Sequence, residues 1–170
     1  MGCGKSSVGR KLSELLCCPF MDLDDVIEKA EGRTIPEIFA SDGEGAFRRM
    51  EADTLHCLVV QPVQCVLALG GGTVMTPECA ETVHEKTFCI YLRTEAETLM
   101  ERLEGEADGR PMLKTTSLRG AERRGNLRSR IDELMAQRSA TYEQTAHMII
   151  DTDGKTIEDI AAEIHRNLEN

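Results

Sequence analysis

Near the amino terminus, Gly2-Cys3-Gly4-Lys5-Ser6-Ser7 carries the second half of a phosphate-binding loop, G-K-S, running straight into an amphipathic helix pattern. Backbone N–H groups at such a helix start point at anions, a lysine reaches outer phosphates, and the serine hydroxyl can ligate Mg²⁺. A bare G-K-S is unspecific, so the remaining residues must carry the argument. Asp22-Leu23-Asp24 closes an apolar strand candidate at Pro19 to Met21. Alternate residues at a strand end share a face, so both carboxylates can enter a crevice, one to hold Mg²⁺ or its water and the other a substrate hydroxyl. The alternative is that one of them caps the following helix.

Arg48, in Phe47-Arg48-Arg49-Met50-Glu51, can clamp a carboxylate or phosphate through two parallel hydrogen bonds. It can equally form a surface pair with Glu51 three residues on. Gly70-Gly71-Gly72 follows the apolar run Val66 to Leu69, and three glycines at a strand's carboxyl end suit a tight turn or close backbone approach to a ligand. Arg110, in Arg110-Pro111-Met112-Leu113, can stabilise transferring phosphoryl charge, and Arg138 can pair with a substrate anion. Each could also be a solvated surface arginine.

These residues need a scaffold, and the pattern supplies one. Strand candidates at Pro19 to Met21, Val66 to Leu69, Thr87 to Leu92 and His147 to Asp151 alternate with helical patterns. The helices are expected at Ser6 to Leu16, Asp24 to Ala30, Ile35 to Ala40, Glu44 to Val60, Pro77 to Glu85, Glu95 to Leu103, Ser129 to Thr145 and Thr156 to Leu168. Strand and helix in alternation predict an α/β fold, a parallel sheet between two helical layers. At 170 residues, 41% apolar and 29% charged, the chain fits a single domain over 1–170 with a real core.

Charge and cysteine usage exclude several classes. A net charge of −10 opposes the basic footprint of nucleic-acid binding. No apolar run reaches the length of a membrane span. The seven cysteines are odd in number and lack a C-x-x-C pair, which predicts reduced thiols and the cytoplasm. The four histidines have no ligand spacing and read as structural or surface residues. Between Arg110 and Arg138 eight basic residues face three acidic ones. With Gly120 and Gly125 in the same stretch, this predicts a mobile cationic lid at about 105–130, a solvated helix face being the alternative.

The ordered set G-x-G-K-S, D-L-D, I-P-E-I-F, F-R-R-x-E, G-G-G, R-P-M-L and R-x-x-x-Y resembles the shikimate kinases over essentially the whole length. The resemblance implies a three-layer α/β/α P-loop kinase that moves the γ-phosphate of ATP to the 3-hydroxyl of shikimate. It implies that Lys5, Asp24 and Arg110 are catalytic, and that Ser6 and Asp22 hold Mg²⁺. ATP would meet Gly2, Cys3, Gly4, Lys5, Ser6, Ser7 and Arg110, with Arg102 and Lys155 near the adenine. Shikimate would meet Asp24, Arg48, Gly70, Gly71, Gly72 and Arg138. A small-molecule substrate is the expected partner and a monomer the expected state.

Two departures from the family pattern stand out. The first loop glycine and the strand before it fall upstream of Met1, so a true start further upstream is expected, with open strand edges and an apolar gap in the chain as it stands. The lid is also longer than usual, an extension that is thermodynamically cheap. Two other readings compete: a related kinase such as a gluconate kinase, and a truncated, non-catalytic kinase-like binding module.

Overall fold

The structure is a computed structural model and describes residues 3–105 and 121–169. The elements run α1 (Lys5–Leu15), β1 (Phe20–Asp22), α2 (Leu23–Glu31), α3 (Ile35–Asp42), α4 (Glu44–Val59), β2 (Val66–Ala68), a 3₁₀ turn (Thr73–Met75), α5 (Pro77–Lys86), β3 (Ile90–Arg93), α6 (Ala96–Gly105), α7 (Ala121–Thr145), β4 (Met148–Asp151) and α8 (Ile157–Leu168). All four strands are parallel to their partners. Among the described residues they form two pairs, β1 with β2 in the register Met21 to Leu67, and β3 with β4 in the register Tyr91 to Ile149.

Strand alternation sorts the side chains into two helical layers. Val66, Ile90, Leu92, Met148 and Ile150 join Val8 and Leu12 of α1 and Ile160 and Ile164 of α8 on one face. Leu67, Leu69 and Cys89 meet Leu23, Ile27, Phe47, Leu55 and Val83 of α2, α4 and α5 on the other. A third cluster, Leu99, Met100 and Ile131, ties α6 to α7. Local chemistry sets several boundaries. Thr34 and Glu37 close a capping box at the start of α3, and Thr156 and Asp159 close one at α8. No helix among the described residues is long and apolar enough to cross a membrane.

The stretch expected to form a lid falls only partly on described residues. Residues 106–120, with Arg110, lie outside the described residues, but 121–130, expected to belong to a mobile connection, are the first turns of α7. Arg128 reaches Glu97 at 2.5 Å and Asp132 at 3.2 Å, and Arg130 reaches Glu133 at 2.8 Å. Arg128 with Asp132 and Arg130 with Glu133 pair at helical spacing on an exposed face of α7, and Arg128 also bridges to α6 through Glu97. Gly125 is absorbed inside the helix, a placement that costs under about 1 kcal/mol.

His84 and His147 stack with ring centroids 4.6 Å apart, and His147 Nδ1 accepts the Cys89 N–H at 3.1 Å. All seven cysteines are free, and burial pushes the Cys79 and Cys89 thiols up to about 11, so both stay protonated. Cys17 and Cys57 are exposed rather than in the core.

Candidate active site

The site gathers where α1 begins and where β1 and β2 end. Gly4 precedes α1 with φ of 78°, a left-handed conformation natural to glycine, and no side chain caps the helix. The first-turn N–H groups of α1 are therefore presented as an anion site, with Lys5 at its mouth. Ser7 is exposed on the same turn, whereas Cys3 packs against Leu99, Met100 and Ile131. Gly2 lies outside the described residues.

Asp22 serves two functions at once. Its Oδ1 accepts the Asp24 N–H at 3.2 Å, capping α2, and its Oδ2 accepts the Ser6 hydroxyl at 2.8 Å. The expected strand-end alternation of Asp22 and Asp24 is not what joins them. β1 stops at Asp22, and Asp24 stands in the first turn of α2, so the helix cap brings the carboxylates together. A hydroxyl in contact with a carboxylate, both hard oxygen donors, fits a small divalent cation that retains several waters.

Burial, and then the charge of Asp22, push the Asp24 carboxyl above its ordinary value; Lys5 pulls it back, while Glu51 and Asp25 add to the rise. Such a carboxyl, crowded by anions beside one lysine, is suited to accept a proton.

On α4, Arg48 donates to Glu51 at 2.7 Å and to Glu44 at 3.2 Å. The pairing with Glu51 is present, as the sequence allowed, but it is no surface pair, because the Glu51 side chain is 1% exposed. The other Glu51 oxygen accepts the Thr73 hydroxyl at 2.5 Å. A carboxylate held on both sides fixes the guanidinium beside the glycine run. A Cβ placed on Gly72 would lie 2.6 Å from Arg48 Nη2, and one on Gly70 3.1 Å from Asp24 Oδ1. From α7, Arg138 donates to the Gly71 carbonyl at 3.1 Å, and the Tyr142 hydroxyl donates to the same oxygen. No carboxylate among the described residues pairs with Arg138.

Asp24, Arg48, Gly70, Gly71, Gly72 and Arg138 thus meet in one place, next to Lys5, Ser6 and Asp22. Lys155 instead donates to Glu163 at 2.6 Å in the turn after β4, and Arg102 sits half-buried on α6. Sequence reasoning offered Glu51 only as a surface partner of Arg48 and Tyr142 only as part of a motif, and it passed over Thr73. The signal for Glu51 was available: Phe47, Glu51 and Leu55 fall four residues apart on the buried face of α4.

Comparison with known proteins finds relatives along nearly the whole chain. The family profile described as shikimate kinase matches residues 1–169. A shikimate kinase of Symbiobacterium thermophilum is 40% identical over 170 residues, spanning 99% of this chain and 92% of the relative. One of Thermus thermophilus is 38% identical over 168 residues, spanning 99% and 85%. Among solved structures, the shikimate kinase from Acinetobacter baumannii in complex with shikimate matches with a TM-score of 0.87 at 32% identity, covering 99% of this chain and 88% of that one.

Proposed function

This chain belongs to the shikimate kinase family, ATP-dependent enzymes that phosphorylate shikimate, and from that premise we propose how its residues divide the reaction. The observation that carries the reading is the meeting of Arg48, Arg138 and Asp24 around Gly70 to Gly72. A compact ring acid needs a carboxylate clamp and, a ring's width away, an acceptor for one hydroxyl. Arg48 and Arg138 supply the clamp through charge-assisted hydrogen bonds. Asp24 accepts the hydrogen of the attacking hydroxyl, and its raised affinity for protons suits it to take that proton as the oxygen bonds to the γ-phosphorus and the phosphorus–oxygen bond to the departing ADP breaks.

The uncapped start of α1 and Lys5 hold the nucleotide phosphates, with Gly2, Cys3, Gly4, Ser6 and Ser7 completing the loop. Ser6 and Asp22 would hold Mg²⁺, which supplies charge neutralisation to the phosphates when bound. Arg110 contributes a further cation to the phosphates, and Arg102 and Lys155 remain the residues for the adenine side. Positioning and fixed charge, rather than covalent chemistry, account for the acceleration. We read residues 1–170 as one domain acting as a monomer. With seven free thiols, a reducing cytoplasm suits it.

The direct test is ADP release, followed in a coupled assay with shikimate and with gluconate as control. Turnover with shikimate and little or none with gluconate is expected. Equal rates with both acids would move the assignment to a broader small-molecule kinase. No ADP from a folded chain would favour the non-catalytic binding module.

A second prediction concerns Gly72. A methyl group there meets the Arg48 guanidinium, so Gly72→Ala displaces the clamp without removing any charge. Hydrogen bonds to charged groups contribute about 1.5–3 kcal/mol, so the shikimate KM should rise roughly tenfold to a hundredfold. The ATP KM should stay within about twofold, since α1 and Lys5 are untouched. Parallel rises in both constants would show a general distortion instead.

A further inference from the structure

Glu51 divides its two oxygens between two donors. Oε2 accepts from Arg48 Nη1 at 2.7 Å, and Oε1 accepts from the Thr73 hydroxyl at 2.5 Å. Both residues are out of solvent, Glu51 being 1% exposed and Thr73 0%. An arginine facing a carboxylate in so dry a place has a stronger arrangement open to it, a fork of two parallel N–H···O bonds. Here the fork stays open. Arg48 gives Glu51 one hydrogen bond, and its Nη2 turns to Glu44 at 3.2 Å. The Glu44 side chain is 67% exposed, so that second pairing is weak and yields readily to another anion.

The open fork has a local cause. Thr73 begins the 3₁₀ turn straight after the glycine run, and its N–H donates to the Gly70 carbonyl at 3.2 Å. A β-branched side chain packed at that point has little freedom about χ1, so its hydroxyl is aimed at one place. Gly70 keeps the path clear, since a Cβ there would lie 3.1 Å from Thr73 Oγ1 and 3.2 Å from Glu51 Oε1. The hydroxyl therefore draws Oε1 toward the turn and away from the guanidinium. Nη2 lies 2.6 Å from the place that a Cβ on Gly72 would take, so the amino group left over stands beside the glycine run.

We propose that Thr73 is a positioning residue for the substrate clamp and acts through Glu51: its hydroxyl holds the Arg48–Glu51 pair at a single hydrogen bond and leaves Arg48 Nη2 for the substrate carboxylate. The inference rests on the reading of Arg48 as one arm of that clamp. Without the hydroxyl, Oε1 turns to Nη2, the fork closes, and the guanidinium is directed at the protein instead of the substrate.

Thr73→Val keeps the shape of the side chain and removes the donor. The shikimate KM should rise roughly tenfold, the loss of one charge-assisted hydrogen bond, while kcat and the ATP KM stay within about twofold. The melting temperature should stay within about 3 °C of the parent, because the second arm of the fork replaces the lost hydroxyl. Thr73→Ser restores the donor and should return the shikimate KM to within about threefold of the parent. A second readout needs no substrate. Phenylglyoxal attacks guanidinium groups, and peptide mass mapping follows its attachment at Arg48. A closed fork engages both amino groups, so Arg48 should react at least about threefold more slowly in Thr73→Val than in the parent or in Thr73→Ser.

A shikimate KM unmoved in Thr73→Val, or one that Thr73→Ser fails to recover, would overturn the proposal. So would parallel rises in both KM values with a lower melting temperature, the mark of a merely structural contact. Should the parent chain turn over no shikimate, the functional reading falls instead, and the modification rate at Arg48 still decides the role of Thr73. Equal rates in all three proteins overturn that role, and slowing in Thr73→Val alone supports it.

Discussion

Asp24→Asn is expected to cut turnover by roughly 10²–10⁴-fold, the usual contribution of a positioned base, while raising the melting temperature of the protein at neutral pH. The two effects share one cause. Burial and the charges of Asp22, Glu51 and Asp25 outweigh the pull of Lys5 and raise the Asp24 carboxyl above its unfolded value. A carboxyl in that condition binds its proton more tightly in the folded chain than in the unfolded one. Ionising it therefore costs stability as pH rises from about 4 through the raised value, and the loss persists at pH 7. Asparagine has nearly the same shape and no charge, so the variant escapes the loss. Calorimetry at pH 7 should find the variant melting higher, and the advantage should vanish near pH 4, where Asp24 is itself protonated. ATP affinity should be nearly unchanged. An unaltered rate would remove Asp24 from the reaction, and a lower melting temperature at pH 7 would show that its carboxylate is held by partners rather than crowded by anions.

That crowding could not be read along the chain. Asp22 and Asp24 were visible as a pair, but the sequence offered strand alternation as the reason for their proximity, whereas the structure uses a helix cap. The cap is the more economical device, since one Asp22 oxygen orders the backbone of α2 while the other holds Ser6. The burial of Glu51 was invisible for a different reason. Helical spacing says only that residues three apart can pair, and burial decides whether the pair is an exposed one of little consequence or a buried anchor. The glycine run was easier to interpret, because its purpose is absence: Arg48 occupies the space that a Cβ on Gly72 would take, and Asp24, Thr73 and Glu51 crowd that of Gly70.

At the level of elements, apolar periodicity placed every helix and strand to within a few residues, apart from the start of α7. Basic residues and glycines at 119–125 imitate a loop, but α7 begins at Ala121, and before Ser129 it is tied down by Leu127 packing on Leu99, Met100 and Ile131 and by the Arg128–Asp132 pair. Tertiary contact overrides weak local propensity there. Strands of three or four residues carry too little pattern to reveal which edges meet. The sequence implied a parallel sheet, and the pairing of β1 with β2 and of β3 with β4 needed the fold.

The Arg48 and Glu51 pair allows a role in the fold to be separated from the proposed role in holding the substrate. Glu51 is 1% exposed and Arg48 is 23% exposed, so removing the arginine strands a buried carboxylate with Thr73 as its remaining hydrogen-bond partner. Breaking such a pair costs about 3 kcal/mol, and Arg48→Met should lower the melting temperature by roughly 6–12 °C in a chain of this size. Replacing the carboxylate too, in Arg48→Met with Glu51→Gln, removes the stranded charge while the amide oxygen still accepts from Thr73. At least half of the lost melting temperature should return. The catalytic constants should not follow: kcat/KM for shikimate should stay down about a hundredfold or more in both variants, with the ATP KM little changed, because the substrate carboxylate has lost one arm of its clamp in each. Recovery of shikimate turnover together with stability would show that Arg48 acts only through the fold, and the clamp would then rest on Arg138 alone. Independent behaviour of the two readouts is what a residue that is both an anchor and a ligand must show.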